Sequence, residues 1–185
     1  AITLVDDEEL IGVRLTKDGD SIIMATRKGL SIRFVESDVR EMGRSAQGVK
    51  GISLSEDDYV VSMDVIYEEE AEILSMTEYG YSKRTDASEY RIQGRGGKGI
   101  IASKLNDKTG DLVGLRVINP EDELMVITDD GVIIRQEVSG ISKLGRNSQG
   151  VMAMRTGESK VVAIAKVAHK DDEDEEEDIE DNIDE

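Results

Sequence analysis

Residues 22–33 read IIMATRKGLSIR, residues 73–84 read ILSMTEYGYSKR, and residues 124–135 read LMVITDDGVIIR. The three stretches share one plan. An apolar run ends on Thr, a turn containing Gly follows, and a second run ends on Arg. Two such runs across a short Gly turn predict a β-hairpin. Thr26, Thr77 and Thr128 are 51 residues apart, and so are Gly29, Gly80 and Gly131, and Arg33, Arg84 and Arg135. Further along, Gly43, Gly94 and Gly145 keep the step, as do Arg44, Arg95 and Arg146, and Gly48, Gly99 and Gly150. Identities at one undisturbed period establish an internal repeat.

Each hairpin is followed by a polar connection, a Gly-Arg element and a third short run: VKGISL at 49–54, GIIASKL at 99–105, VMAM at 151–154. A fourth run closes the unit: YVVSMDVI at 59–66, DLVGLRVI at 111–118, KVVAIAKV at 160–167. Four short strands per unit predict an all-β, propeller-type blade, with inner strands at 22–26, 73–77 and 124–128 and no helix longer than about two turns. Residues 1–15 resemble the second half of a unit: Ala1-Ile2-Thr3-Leu4 aligns with Gly51-Ile52-Ser53-Leu54, and Leu10-Ile11-Gly12-Val13 with Val60-Val61-Ser62-Met63. The expected organisation is a half blade at 1–19, blades at about 20–70, 71–120 and 121–170, and a tail at 171–185. Closed propellers usually have four to eight blades, so further blades are expected upstream. A capping strand pair is the simpler alternative for residues 1–15.

Composition narrows the chemistry. The 185 residues contain no Cys and a single His, His169, which excludes thiolate sites and makes His-based metal or acid–base centres unsupported. Aromatic residues are 3%, too few for base-stacking platforms. No run is long and apolar enough to span a membrane, and no signal peptide is visible, so a cytoplasmic protein is expected. The paired acids Asp57-Asp58 and Asp129-Asp130 read as turn residues, and no metal site is expected.

Net charge is -18, with 23 Lys and Arg against 41 Asp and Glu. Residues 171–185 hold twelve of those acids and no base, a run expected to be disordered. It would either serve solubility or compete with a polyanion for the basic segments. In the body, segments 27–50, 79–104 and 131–155 contain 16 bases and six acids, while the other 95 residues contain 7 bases and 23 acids. Bases sorted by a repeat fall along one edge or face, which is a footprint for a polyanion. Plain solvation of exposed loops is the alternative. The Gly-Arg elements, MGRSAQGV at 42–49, QGRGGKGI at 93–100 and LGRNSQGV at 144–151, sharpen the case. Their glycines let backbone approach a phosphate, and Arg supplies a forked donor. No Walker pattern occurs, so nucleotide hydrolysis is not suggested. The candidate duplex-binding residues are Arg33, Arg40, Arg44, Lys83, Arg84, Arg91, Arg95, Lys98, Arg135, Lys143, Arg146 and Arg155.

Through REMGRSAQGVKGI, RIQGRGGKGI and GYSKRT the chain resembles the C-terminal domain of the bacterial DNA gyrase A subunit, over essentially all of residues 1–170. The family's box reads QRRGGKG. Gln93, Gly94, Arg95, Gly96, Gly97, Lys98 and Gly99 match it except that Gly94 stands at the first Arg, as in a later-blade copy. The resemblance implies a β-pinwheel whose blades exchange strands, and a module that wraps double-stranded DNA around its basic rim to support negative supercoiling. It implies no catalytic residue or cofactor in this chain. ATP, Mg²⁺ and strand cleavage would belong to the remainder of gyrase A and to gyrase B, in the bacterial cytoplasm with the nucleoid. The equivalent domain of the topoisomerase IV A subunit, and a propeller-like protein-interaction scaffold, are the alternatives.

Overall fold

The computed structural model describes residues 3–4, 8–43, 45–68 and 70–167. The acidic tail, His169 and Arg44 lie outside the described residues. Eleven described strands run β1 (Ser21–Thr26), β2 (Leu30–Val35), β3 (Val60–Ile66), β4 (Glu72–Thr77), β5 (Tyr81–Asp86), β6 (Ile100–Ile101), β7 (Leu112–Ile118), β8 (Glu123–Thr128), β9 (Ile133–Glu137), β10 (Val151–Met152) and β11 (Val161–Val167). The helical elements among the described residues are three short 3-10 turns, at Glu36–Asp38, Ala87–Glu89 and Val138–Gly140.

The predicted hairpins form as β1–β2, β4–β5 and β8–β9, all antiparallel. The recurring Thr closes the turn in the first two: Leu30 N–H donates to Thr26 Oγ1 at 3.3 Å, and Tyr81 N–H to Thr77 Oγ1 at 3.2 Å. The recurring Gly has φ of +82°, +76° and +85° at Gly29, Gly80 and Gly131, where a side chain is strained.

Each repeat supplies four runs, but not to one sheet. The sheet orders are β3-β1-β2-β6, β10-β5-β4-β7 and β11-β8-β9. Thus β6, from the second repeat, completes the first sheet beside β2, and β10, from the third, completes the second beside β5. The first two sheets are thus the expected four-strand blades, each with its outer strand coming from the following repeat, the exchange that the family resemblance implies. The third sheet has three described strands. The runs expected as inner strands, now β1, β4 and β8, are interior to their sheets, paired on both edges. All six residues of β4 are buried. The sheets meet through the fourth runs: Leu115 N–H on β7 donates to Ser62 Oγ on β3 at 3.0 Å, and Val117 N–H to Asp64 Oδ2 at 3.0 Å.

The core lies between successive sheets. One cluster joins Ile23, Ala25 and Ile66 of the first repeat to Ile73, Leu112 and Leu115 of the second. The next joins Leu74, Met76 and Ile118 to Leu124, Val126 and Ile164 of the third. The ends are less covered. Ile133 on β9 is exposed, and so are Leu10, Val13 and Leu15. Residues 8–19 form no strand. Thr3 N–H nevertheless donates to Ala46 O at 3.2 Å, matching Ser53 N–H to Gly97 O at 2.8 Å and Lys104 N–H to Ser148 O at 3.0 Å in the later repeats.

Candidate nucleic-acid interface

The Gly-Arg elements sit where one repeat crosses onto the sheet of the one before. Ile92 bridges Arg33 on β2 and Lys143 bridges Arg84 on β5, both in parallel. Gln93 N–H then donates to Arg33 O at 2.8 Å, and Leu144 N–H to Arg84 O at 2.8 Å. The turn over the first junction is also tied to the preceding repeat by Gly96 N–H to Gly51 O at 2.7 Å.

The arginines of these turns are engaged. Arg95 Nε donates to Asp38 O at 3.0 Å and its Nη1 to Lys50 O at 2.6 Å. Arg146 repeats the arrangement one period on, with Nε to Glu89 O at 3.2 Å and Nη1 to Ile101 O. Both guanidinium groups thereby staple adjacent repeats through backbone carbonyls.

The hairpin arginines do the same in a second way. Arg33 is only 4% exposed; it donates to Ser21 Oγ at 2.7 Å and to Ala87 O at 3.2 Å, in the next repeat. Arg84 donates to Ile141 O at 2.7 Å and pairs with Glu72 at 2.8 Å. Arg135 is exposed and pairs with Glu123 on the neighbouring strand. Lys143 pairs with Asp86 at 2.6 Å and Glu72 at 3.0 Å, contacts that raise its pKa, with Asp86 the larger cause. Lys83 is fully buried, its ammonium facing the carbonyls of Gly145, Arg146 and Ser148.

One expectation drawn from the sequence is therefore corrected. Arg33 and Lys83 are buried and poorly placed to meet a phosphate, because the following repeat closes over them. Arg84, Arg95 and Arg146 are first of all inter-repeat staples. Periodicity selected them because every junction needs the same donor, and a forked donor serves a carbonyl as well as a phosphate.

Other bases remain open. Among the described residues, the side chains of Arg40, Arg91, Lys98 and Arg155 are exposed with no hydrogen-bond or ion-pair partner. Lys50 and Lys104, absent from the sequence-derived candidates, are also exposed. The backbone brings several together. Arg95 is bonded to the carbonyls of Asp38 and Lys50, two residues from Arg40 and at Lys50 itself, while Arg91 and Lys98 flank Arg95 in its own turn. Lys104 adjoins the next turn through Ser148 O. Lys50 and Lys104 could have been found from their places beside the third runs, and Lys104 stands one 51-residue step before Arg155.

The acidic pairs behave as turn residues. Asp58 Oδ1 accepts Lys28 N–H and Tyr59 N–H, each at 3.0 Å. Asp129 Oδ1 accepts Lys160 N–H at 3.0 Å. Among the described residues no group of three or more His, Cys, Asp or Glu could hold a metal ion.

The chain matches the family described as the DNA gyrase C-terminal domain, beta-propeller, over residues 20–66, 71–119 and 122–168. The chain belongs to that gyrase C-terminal domain family. The three matched segments are the three repeats. Among curated relatives, the A subunit of DNA gyrase from Staphylococcus epidermidis is 48% identical over 174 residues, covering 93% of this chain and 20% of the relative. The A subunit of DNA gyrase from Staphylococcus aureus is 45% identical over 178 residues, covering 95% and 20%. The chain thus spans about one fifth of the length of these relatives. A crystal structure of the C-terminal domain of DNA topoisomerase IV is similar at TM-score 0.84 and 28% identity, covering 90% of this chain and 52% of that one. A structure of the DNA gyrase A C-terminal domain is similar at TM-score 0.76 and 26% identity, covering 83% and 52%. In this gyrase-family domain the box-like residues Gln93 to Gly99 form the turn at the first junction. Its all-β architecture of repeated antiparallel sheets is the expected one. No helix among the described residues is long and apolar enough to cross a membrane.

Proposed function

We propose that the chain binds double-stranded DNA without sequence preference and bends it along a basic perimeter, as the DNA-wrapping part of gyrase A, in support of negative supercoiling. One observation carries this reading. Arg40, Lys50, Arg91 and Lys98 are exposed about a Gly-Arg turn whose own Arg95 is spent on backbone carbonyls. Unpaired cations on a backbone-rich turn suit phosphate, which positions a duplex without reading its sequence. In this reading blades at about 20–70, 71–120 and 121–170 carry the surface. Strand cleavage, ATP and Mg²⁺ belong to other parts of gyrase A and to gyrase B, its partners in the bacterial cytoplasm. The equivalent role in topoisomerase IV is a second reading, favoured by the higher TM-score to that domain.

The test uses equal-length duplexes of unrelated sequence, with poly-glutamate as an acidic-protein control. Arg91→Glu with Lys98→Glu is expected to weaken every duplex alike, by about tenfold or more at low salt. Loss on one sequence only would overturn the reading. So would tight poly-glutamate binding without duplex binding, which is the outcome expected of a protein-interaction scaffold.

A further inference from the structure

Lys83 departs from an apolar rule of the repeat. Its equivalents one period away are Ile32 and Ile134. Ile32 is fully buried at the first junction, where a Cβ on Gly97 would lie 3.6 Å from its Cδ1. An apolar side chain therefore closes a junction of this shape. At the second junction Lys83 is equally buried, and burying an ammonium without a carboxylate contact is unfavourable. Packing does not account for the lysine.

Its contacts do. Nζ donates to Gly145 O at 3.0 Å, to Ser148 O at 2.8 Å and Ser148 Oγ at 3.3 Å, and to Arg146 O. These carbonyls belong to the third Gly-Arg turn, and they point inward at the ammonium. In a trans peptide the C=O and the following N–H point in opposite directions. Carbonyls of Arg146 and Ser148 drawn inward therefore turn the N–H groups of Asn147 and Gln149 outward. Among the described residues neither amide has an acceptor. Gly145 and the Arg146 backbone are held from the other side, where Arg146 N–H donates to Glu89 Oε2 at 2.7 Å.

We propose that Lys83 is a positioning residue for phosphate binding at the third Gly-Arg turn: from beneath, its ammonium orients the turn so that the Asn147 and Gln149 amides face a phosphate, and places a positive charge under them. This rests on the duplex-binding reading above. Two outward amides on one turn, one residue apart, over a cation offer donors and positive charge to an anion. The charged groups facing the ammonium are Glu89, which favours its proton, and Arg146, which opposes it; the β4 residue opposite, Ser75, is uncharged. Burial outweighs both and lowers the Lys83 pKa to about 8. A phosphate above the turn favours the protonated amine, so binding takes up a proton where the free chain has lost it.

The experiment measures affinity of the full 185-residue chain for a mixed-sequence duplex from about pH 7 to about pH 9 at fixed salt, for the parent and for Lys83→Ile. The parent is expected to lose affinity as pH rises past 8, by up to about tenfold per unit, the limit for one linked proton. Lys83→Ile is expected to bind more weakly at pH 7 and to show no such fall. Equal pH profiles would overturn the proposal. Should the variant fail to fold, nitrogen NMR of Lys83 Nζ in the parent decides. Its titration midpoint is expected to rise when duplex is added, and an unmoved midpoint would overturn the proposal. Arg91→Glu with Lys98→Glu separates the two levels. If that pair leaves duplex binding intact, the duplex reading fails. If it weakens binding while Lys83→Ile matches the parent, only the role of Lys83 fails.

Discussion

Arg33, Arg84 and Arg135 hold one register and end in three environments, set by the segment that packs over each. Arg84 reaches both Ile141 O in the next repeat and Glu72, which is 8% exposed. Arg135, in the last sheet, pairs with Glu123 at an exposed position of that same sheet. Truncation should separate them. Arg84→Ala is expected to cost about 2 kcal/mol, less than a fully orphaned buried carboxylate because Lys143 still reaches Glu72. Arg135→Ala is expected to cost less than about 1 kcal/mol, as for exposed pairs. Urea unfolding of both variants measures the difference, and equal losses would contradict the staple assignment. Lys83 gives a signed pH effect. With its folded pKa lowered to about 8 from 10.5, the unfolded chain holds more protons between those values, so this group alone makes stability rise with pH across that window. Denaturation midpoints measured from about pH 7.5 to about pH 10 should rise more in the parent than in Lys83→Ile. Fold stability and duplex affinity then respond to the same proton with opposite sign.

Hairpins were legible in the sequence because their contacts are local: an apolar run, a Thr that caps the turn, and a Gly at positive φ lie within a dozen residues. The exchanged strands were not legible from pattern, since Ile100–Ile101 pairs with Leu30 and Ser31 across about seventy residues with nothing in its own composition to name that partner. Only the family resemblance implied exchange. The candidate site was half legible for a related reason. Charge segregation pointed to the segments that carry the open cations, but the period does not separate open from engaged arginines: Arg40 and Arg91 keep the 51-residue step and stay open, while Arg95 and Arg146 keep it and build the junctions. Exchange also has an energetic mark. A Cβ on Gly29 would lie 2.7 Å from Ser103 O of the next repeat, while one on Gly131 meets nothing within 4 Å, at nearly the same φ. Gly131→Ala is expected to cost about 1 kcal/mol for the left-handed backbone alone. Gly29→Ala should cost about 1 kcal/mol or more beyond that, because backbone must move. Thermal unfolding of the two variants checks the order, and a larger loss at Gly131 would contradict the assignment of the outer strand.

At the scale of the molecule, acids and bases are sorted so that a chain of net charge -18 still presents basic junctions. Screening at physiological salt removes most influence beyond about 8 Å, so the cations near a phosphate outweigh the distant acids. The repeats stack with a core between each pair of sheets, which fixes neighbouring Gly-Arg turns relative to one another. Curvature of the bound duplex would follow from that spacing. The central claim is that open cations at the junctions hold the duplex, while Arg33, Arg84, Arg95 and Arg146 hold the protein. A salt series of duplex affinity tests it most directly, comparing the parent chain with the triple variant Arg40→Glu, Arg91→Glu and Lys98→Glu. The log–log slope of the variant is expected to be shallower by roughly three, at about 0.9 per phosphate contact, on every sequence used and with unfolding unchanged. An unchanged slope, or a loss confined to one sequence, would contradict it.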